Sequence, residues 1–350
     1  MLELHNISKR FPGFDLDRIS LLVQEGEYFM LLGDSGAGKS LLLEIIAGLT
    51  YPDSGTIIMN GADITGRKIQ DRSIGLVFQD YAIFPHMSIF DNIAYPLHGS
   101  GLSTVERKTR VASLAEKMGI VHLLHRRPGT LSGGELQRAA LARTLAQEPE
   151  ILLLDEPLSS LDPRLRTGLR SLLRQIHREG QTIIHVTHDY EEALALSDKV
   201  AIINNGTIIQ NGPPAEVFRH PKSEFVAHFT GIRNFFRVSL VTDHGALFAM
   251  VNEHLRFRIL HENLTGTGHI LFRGEEVILS NDELHTSITN TFKGTVKEIV
   301  NSQAGLEVVI NIGMELYARI TPESRSNLGL TEESVIFVGL KASSILYIPD

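Results

Sequence analysis

Apolar positions change their period along the chain, and each change predicts a different kind of structure. Ser20–Val23 alternates as a half-buried strand does, Gly26 turns the chain, and Tyr28–Leu32 is an unbroken apolar run suited to a buried strand. From Ser40 onward Leu41, Leu42, Ile45, Ile46 and Leu49 fall at helical spacing, and Gly48 is placed to end the helix in a left-handed cap. Strand, glycine-rich turn and helix in that order make a βα unit of a parallel sheet.

Between about residues 80 and 148 the strand signal fades. Ser103 with Glu106 is a capping-box pattern, and Val111, Leu114, Ala115 and Met118 form an apolar helical face before Gly119. Sheet signals return in Ile151–Leu154 and Thr182–Val186, joined by a helical stretch Arg164–Arg178 that completes a crossover. After Phe229 short β-rich segments separated by Gly, Asn and Asp turns take over, which predicts a boundary near Gly231. Ile270–Ser280 and Ile336–Ile348 end alike and hint at two small related barrels, over about 232–281 and 284–350.

Composition narrows the class. A length of 350 residues suggests two domains, or three small ones. The 33 lysines and arginines against 41 acidic residues leave a net charge of −8, which argues against nucleic acid as a partner. With no cysteine, disulfides, thiolate metal sites and cysteine nucleophiles are excluded. Met1–Phe14 lacks the apolar stretch of a signal peptide, so the mature chain is expected to start here. No run reaches the ~18 apolar residues that a spanning helix needs, so any membrane role must be borrowed from a partner.

The chemistry begins at Gly33-Asp34-Ser35-Gly36-Ala37-Gly38-Lys39-Ser40, the phosphate-binding pattern G-x-x-x-x-G-K-[ST] between a strand and a helix. Its glycines let backbone N–H groups turn toward phosphates, Lys39 would neutralise β/γ oxygens, and the Ser40 hydroxyl would ligate Mg²⁺. Ile151-Leu152-Leu153-Leu154-Asp155-Glu156 is an apolar strand ending in two carboxylates. By itself that is also an ordinary solvated strand end; beside the loop, Asp155 would hold the metal shell and Glu156 would polarise the attacking water. Leu131-Ser132-Gly133-Gly134-Glu135-Leu136-Gln137-Arg138 opens a helix by a Ser132–Glu135 capping box, yet its two glycines cost helix stability unless a ligand approaches the backbone. His185, inside an apolar strand, reads as a core residue.

These three segments together resemble the ATP-binding subunits of ABC transporters, over residues 1 to about 230. The resemblance implies that Gln79 is the Q-loop glutamine, near the metal and the attacking water, that Ser159-Ser160-Leu161-Asp162 is the D-loop with Asp162 at the nucleotide, and that His188 is the switch histidine. It makes Phe11 the ring that stacks on adenine, and Ser132, Gly133, Gly134 and Glu135 the signature that meets the nucleotide. It further implies a homodimer with ATP sandwiched head-to-tail between Lys39 of one chain and Ser132–Gly134 of the other. Asp34 and Ser160 depart from the commoner residues of the family.

The rest of the chain resembles the OB-like Mop/TOBE regulatory domains of import-type ABC subunits. Arg273-Gly274-Glu275 stands where Arg-Pro-Glu is common. Thr286–Val296, Ile320–Ser324 and Leu340–Ser344 resemble in order the segments of the molybdate/tungstate-binding Mop domain, with Thr289 where arginine is common. A tetrahedral oxyanion needs hydroxyl, amide and ammonium donors. Ser287, Thr289, Asn290, Lys341 and Ser343 are the candidate ligands; the same residues also suit an ordinary edge segment guarded by lysine.

The expected fold is therefore an α/β P-loop NTPase core with a helical subdomain at about 80–148, occupying residues 1–230, followed by an all-β OB-like regulatory domain over 231–350. The expected function is the ATP- and Mg²⁺-dependent ATPase of a molybdate/tungstate importer on the cytoplasmic face of the membrane. Its partners would be a permease dimer touching Gln79–Asn92 and, indirectly, an external solute-binding protein; bound oxyanion would inhibit transport. The alternatives are an importer ATPase for sulfate, a sugar or a polyamine whose C-terminal domain only dimerises, a soluble ABC protein of repair or translation, and a molybdenum storage or sensing protein.

Overall fold

Strands that are apolar on both faces build the centre of the first unit. In the computed structural model, which describes residues 1–159, 161–260, 264–284, 286–302 and 305–350, Tyr28–Leu32 and Thr182–Thr187 are buried along their whole length. They lie in a six-stranded sheet of order Thr207–Gly212, Lys199–Asn204, Tyr28–Leu32, Thr182–Thr187, Ile151–Asp155, Ile74–Val77. All neighbours pair in parallel except the first two. Helix Pro163–Arg178 makes the expected crossover.

The helix predicted from Ser40 runs Lys39–Ala47. Leu42, Leu43, Ile45, Ile46 and Ala47 are buried, whereas Leu49 lies past the cap and is exposed. Gly48 adopts φ 83°, and a Cβ there would fall 2.5 Å from Arg72 Nε. Arg72 fills that space because its guanidinium closes the helix: Nη1 donates to the carbonyls of Ile45 (2.7 Å) and Ile46 (2.8 Å), Nη2 to Thr65 and Nε to Arg67. A cation on the last carbonyls satisfies orphan acceptors and opposes the negative end of the helix dipole.

A four-stranded antiparallel sheet, Phe14–Val23, Leu2–Phe11, Ser54–Met59 and Ala62–Asp63, shares a core with this helix and the parallel sheet. Helices Ile89–Ala94, Thr104–Met118 and Gly133–Leu145 occupy the predicted helical stretch. Ser103 caps its helix as its sequence predicts, with Glu106 reaching back to the Ser103 N–H at 2.7 Å.

The two compact units are Met1–Arg219 and His220–Asp350, so the division falls ahead of the expected Gly231. The short helix Glu224–Phe229 lies in the second unit because Ala227 packs with Ile232 and Leu271. That unit holds two five-stranded antiparallel sheets over one continuous core. One has the order Arg256–Ile259, Ala246–Met250, Asn234–Asp243, Thr267–Phe272, Leu346–Pro349; the other Glu315–Ile320, Gly305–Asn311, Asn290–Ser302, Val335–Leu340, Ile278–Ser280.

The orders match strand for strand, and so do the registers. Asn234 pairs with Phe272 as Asn290 pairs with Leu340. Leu271 pairs with Leu346 as Gly339 pairs with Ile278. The hinted repeat is thus present, but its sequence halves are not its sheets: each half sends its last strand into the other's sheet. The side chains pin the halves reciprocally. Asn234 exchanges two hydrogen bonds with the Tyr317 backbone (2.7 and 2.8 Å), and Asn290 two with that of Arg258 (3.0 and 2.6 Å).

Candidate functional site: the nucleotide edge of the parallel sheet

The candidate groups leave the carboxyl ends of adjacent parallel strands, where open α/β sheets bind ligands. In sheet order these are the Gly33–Ser40 loop after Tyr28–Leu32, His188 after Thr182–Thr187, Glu156 after Ile151–Asp155, and Gln79 after Ile74–Val77. Gly38 has φ 101°, and a Cβ on it would meet the Phe14 ring at 2.6 Å, so glycine is required on both counts. Phe11, at the other side of that hairpin turn, is 43% exposed.

Lys39 is buried, and its ammonium donates to the carbonyls of Gly33 and Asp34, both at 2.8 Å. Burial lowers its pKa, while Glu156, Asp155 and Asp34 oppose the shift. Asp34, Ser35 and Gly36 are exposed along the loop and Ala37 is buried beneath it. Ser40 Oγ donates to Asp155 Oδ1 at 3.0 Å. Burial raises the Asp155 pKa and the charge of Glu156 adds to that, with the Ser40 bond and Lys39 pulling the other way. A hydroxyl and a carboxylate oxygen side by side at the foot of a phosphate loop form a donor set that suits a hard divalent cation.

Glu156 adopts φ 44°, a conformation that costs energy for a residue with a Cβ, and its N–H donates to the Val186 carbonyl at 2.9 Å. His188 Nδ1 lies 3.4 Å from Glu156 Oε1. The structure thus brings together Lys39, Ser40, Asp155, Glu156 and His188, and leaves Gln79 exposed at the end of the next strand.

The glycine pair stands at a different helix. Glu135 accepts from both the N–H (2.7 Å) and the hydroxyl (2.8 Å) of Ser132. Gly134 is buried, and a Cβ on it would press Leu165 at 3.1 Å, while Ser132 is exposed. Asp162, expected at the nucleotide, caps helix Pro163–Arg178 by accepting from the N–H groups of Arg164 and Leu165. Ser160 lies outside the described residues. His185 is fully buried with its Nδ1 2.9 Å from the Tyr28 hydroxyl, and burial lowers its pKa to about 3. Arg72, which closes the loop's helix, went unnoticed in the sequence; its signal is a lone arginine with no motif around it.

Of the oxyanion candidates, Ser287, Thr289, Lys341 and Ser343 are exposed. Asn290 is buried with both amide atoms engaged by the Arg258 backbone, so here it is a pin between sheets rather than a free donor.

The ABC transporter family matches residues 16–159 and the TOBE domain matches residues 286–346. The molybdate/tungstate import ATP-binding protein of Pyrococcus horikoshii is 41% identical over 100% of both chains. The sulfate/thiosulfate import ATP-binding protein of Pseudomonas syringae pv. tomato is 39% identical over 96% of this chain and 97% of its own. A solved dimeric ATP-binding cassette with bound ADP and Pi superposes on 61% of this chain and 99% of its own, at 28% identity and a TM-score of 0.56. Loop, strand-end carboxylates and TOBE domain occur together along a chain so matched, and it belongs to the ABC transporter family as the ATP-binding, ATP-hydrolysing subunit of an importer.

Proposed function

We propose that this chain powers import of molybdate or tungstate and senses the same oxyanion through its second β repeat. One observation carries the reading. Asn290 and Leu340 are paired neighbours, so Ser287 and Thr289 before one, and Lys341 and Ser343 after the other, come to the same end of the sheet. Three hydroxyls and an ammonium belong to residues at that end, donors that suit a doubly charged tetrahedral anion. At the matching place in the first repeat Arg273 replaces Lys341, and Glu275 replaces Ser343, where its carboxylate would repel such a guest. The full-length similarity to the Pyrococcus protein supports this solute, and that to the Pseudomonas protein favours sulfate as the second reading.

In the ATPase, Lys39 and the loop N–H groups would neutralise and orient the phosphates, and Glu156 would orient the attacking water with His188 against its carboxylate. Ser40 and Asp155 would hold Mg²⁺, with Gln79 reaching in from the end of the next strand, and the ion supplies charge neutralisation at the phosphates when bound. Phe11 would stack on the base. Ser132, Gly133, Gly134 and Glu135 of a second copy would close the site, with Asp162 holding the adjoining helix start. A permease would dock in the groove that includes Phe78, Ala82, Phe84, Tyr95 and Arg143, placing the chain at the cytoplasmic face of the membrane, and an external solute-binding protein would feed that permease. Among the described residues no helix is long and apolar enough to cross a membrane. Oxyanion bound to the second repeat would inhibit transport by favouring the open state of the ATPase pair.

Calorimetric titration of the purified chain with molybdate, tungstate and sulfate, beside Lys341→Ala, tests the solute. Saturable molybdate or tungstate binding that the variant loses is expected. Heat with sulfate alone would transfer the reading to a sulfate importer, and no heat with any of the three would reduce the domain to a dimerisation module.

A further inference from the structure

Behind the His188 turn lies a buried polar cluster that none of the roles above uses. Glu192 is 3% exposed. The Thr187 hydroxyl donates to its Oε2 at 3.0 Å and accepts from the Asp189 N–H at 3.1 Å, so one hydroxyl clamps the residues on both sides of His188. Arg170 reaches Glu192 Oε1 and Asp189 Oδ2, each at 3.7 Å, and Arg166 reaches Asp189 Oδ2 at 3.9 Å. The Nε atoms of both arginines and Nε2 of His185 are buried with no hydrogen-bond partner among the described residues. Arg166 and Arg170 keep part of their side chains in solvent, but burying the Glu192 carboxyl beneath them is expensive, and such expense is normally met only where position matters.

The cluster also closes a circuit. Arg166 Nη2 donates to the Leu161 carbonyl at 3.4 Å, next to Asp162. Ser159 donates to the Glu156 carbonyl from its N–H (3.2 Å) and its hydroxyl (2.9 Å), and Glu156 faces His188. Glu156 and His188 are thus tied twice: directly, and through the segment that ends at Asp162 and the arginines of the following helix.

We propose that Glu192, acting through Thr187 and the Arg166–Arg170 pair, is a positioning residue that holds the His188 turn against Glu156 and links it to the segment before Asp162. The proposal rests on reading His188 and Glu156 as partners in hydrolysis. Glu192 touches no reacting atom, so its loss should slow turnover and leave ATP binding intact.

The test is steady-state ATP hydrolysis by the purified full chain. Thr187→Val keeps the shape of a buried side chain and removes the hydroxyl hub; it should lower kcat about tenfold with KM for ATP within about twofold, since small misplacements at a reacting centre are costly. Thr187→Ser, which restores the hub, should recover most of the rate. Glu192→Gln, which keeps an acceptor but not the charge, should fall between wild type and Thr187→Val. Wild-type kcat in Thr187→Val, a loss carried by KM, or a failure of Thr187→Ser to recover would overturn the brace. His188→Ala tests the underlying reading separately: if it retains hydrolysis, the role of His188 itself is wrong, whereas an inactive His188→Ala beside a fully active Thr187→Val sinks only the proposal.

Discussion

His185 sits two residues before Thr187 in the same strand, fully buried against the Tyr28 hydroxyl, and burial holds its pKa at about 3. An unfolded histidine titrates near 6.5, so the unfolded chain takes up this proton first as pH falls. The stability contributed by keeping the imidazole neutral is complete above about pH 6.5 and drains away below it by about 1.4 kcal/mol per pH unit. Denaturation in urea across pH 7 to 5 should therefore show a steep acid limb, flattened in His185→Asn; equal slopes in both proteins would refute the assignment. At this scale Lys39, Ser40, Asp155, Glu156 and His188 each stand in an ordered motif of the sequence, and the structure gathers them at one edge of the parallel sheet. The helix cap at Asp162 and the strand pin at Asn290 could not be read in the same way, because the oxygen that would meet a ligand is the same oxygen that caps a helix or pins a strand, and only the partner distinguishes the two uses.

Helix ends were the most legible elements: Ser103 with Glu106, Ser132 with Glu135, and Gly48 all sit where local chemistry puts them. What closes the helix that Gly48 caps was invisible, since Arg72 reaches the Ile45 and Ile46 carbonyls from another segment while holding those of Thr65 and Arg67. Arg72→Met keeps the length and removes every donor. It should cost about 3 kcal/mol, the order expected when charge-assisted bonds to buried carbonyls are lost, read as a lower Tm in calorimetry together with weaker ATP binding. An unchanged Tm would mean that water replaces the guanidinium. The β repeat was half legible for a related reason: similar endings in two segments announce a duplication, but nothing local says that each final strand pairs outside its own half.

At the scale of the whole molecule, the nucleotide loop and the Ser132–Glu135 helix start belong to different elements, and the proposed head-to-tail sandwich would unite them only across two copies. Glu156→Gln should bind ATP without hydrolysing it and so trap that state. Light scattering should then find a dimer with ATP and a monomer without it, and a monomer that persists with bound ATP would break the sandwich reading. The β repeat bears on how such a chain is made. Synthesis delivers Thr267–Phe272 long before Leu346–Pro349, the strand that covers its edge. Until the ribosome has passed both halves, the nascent first half carries a bare strand edge of the kind that recruits neighbouring chains. A message truncated in the second half would therefore damage the first half as well, since neither is finished until the other has been translated.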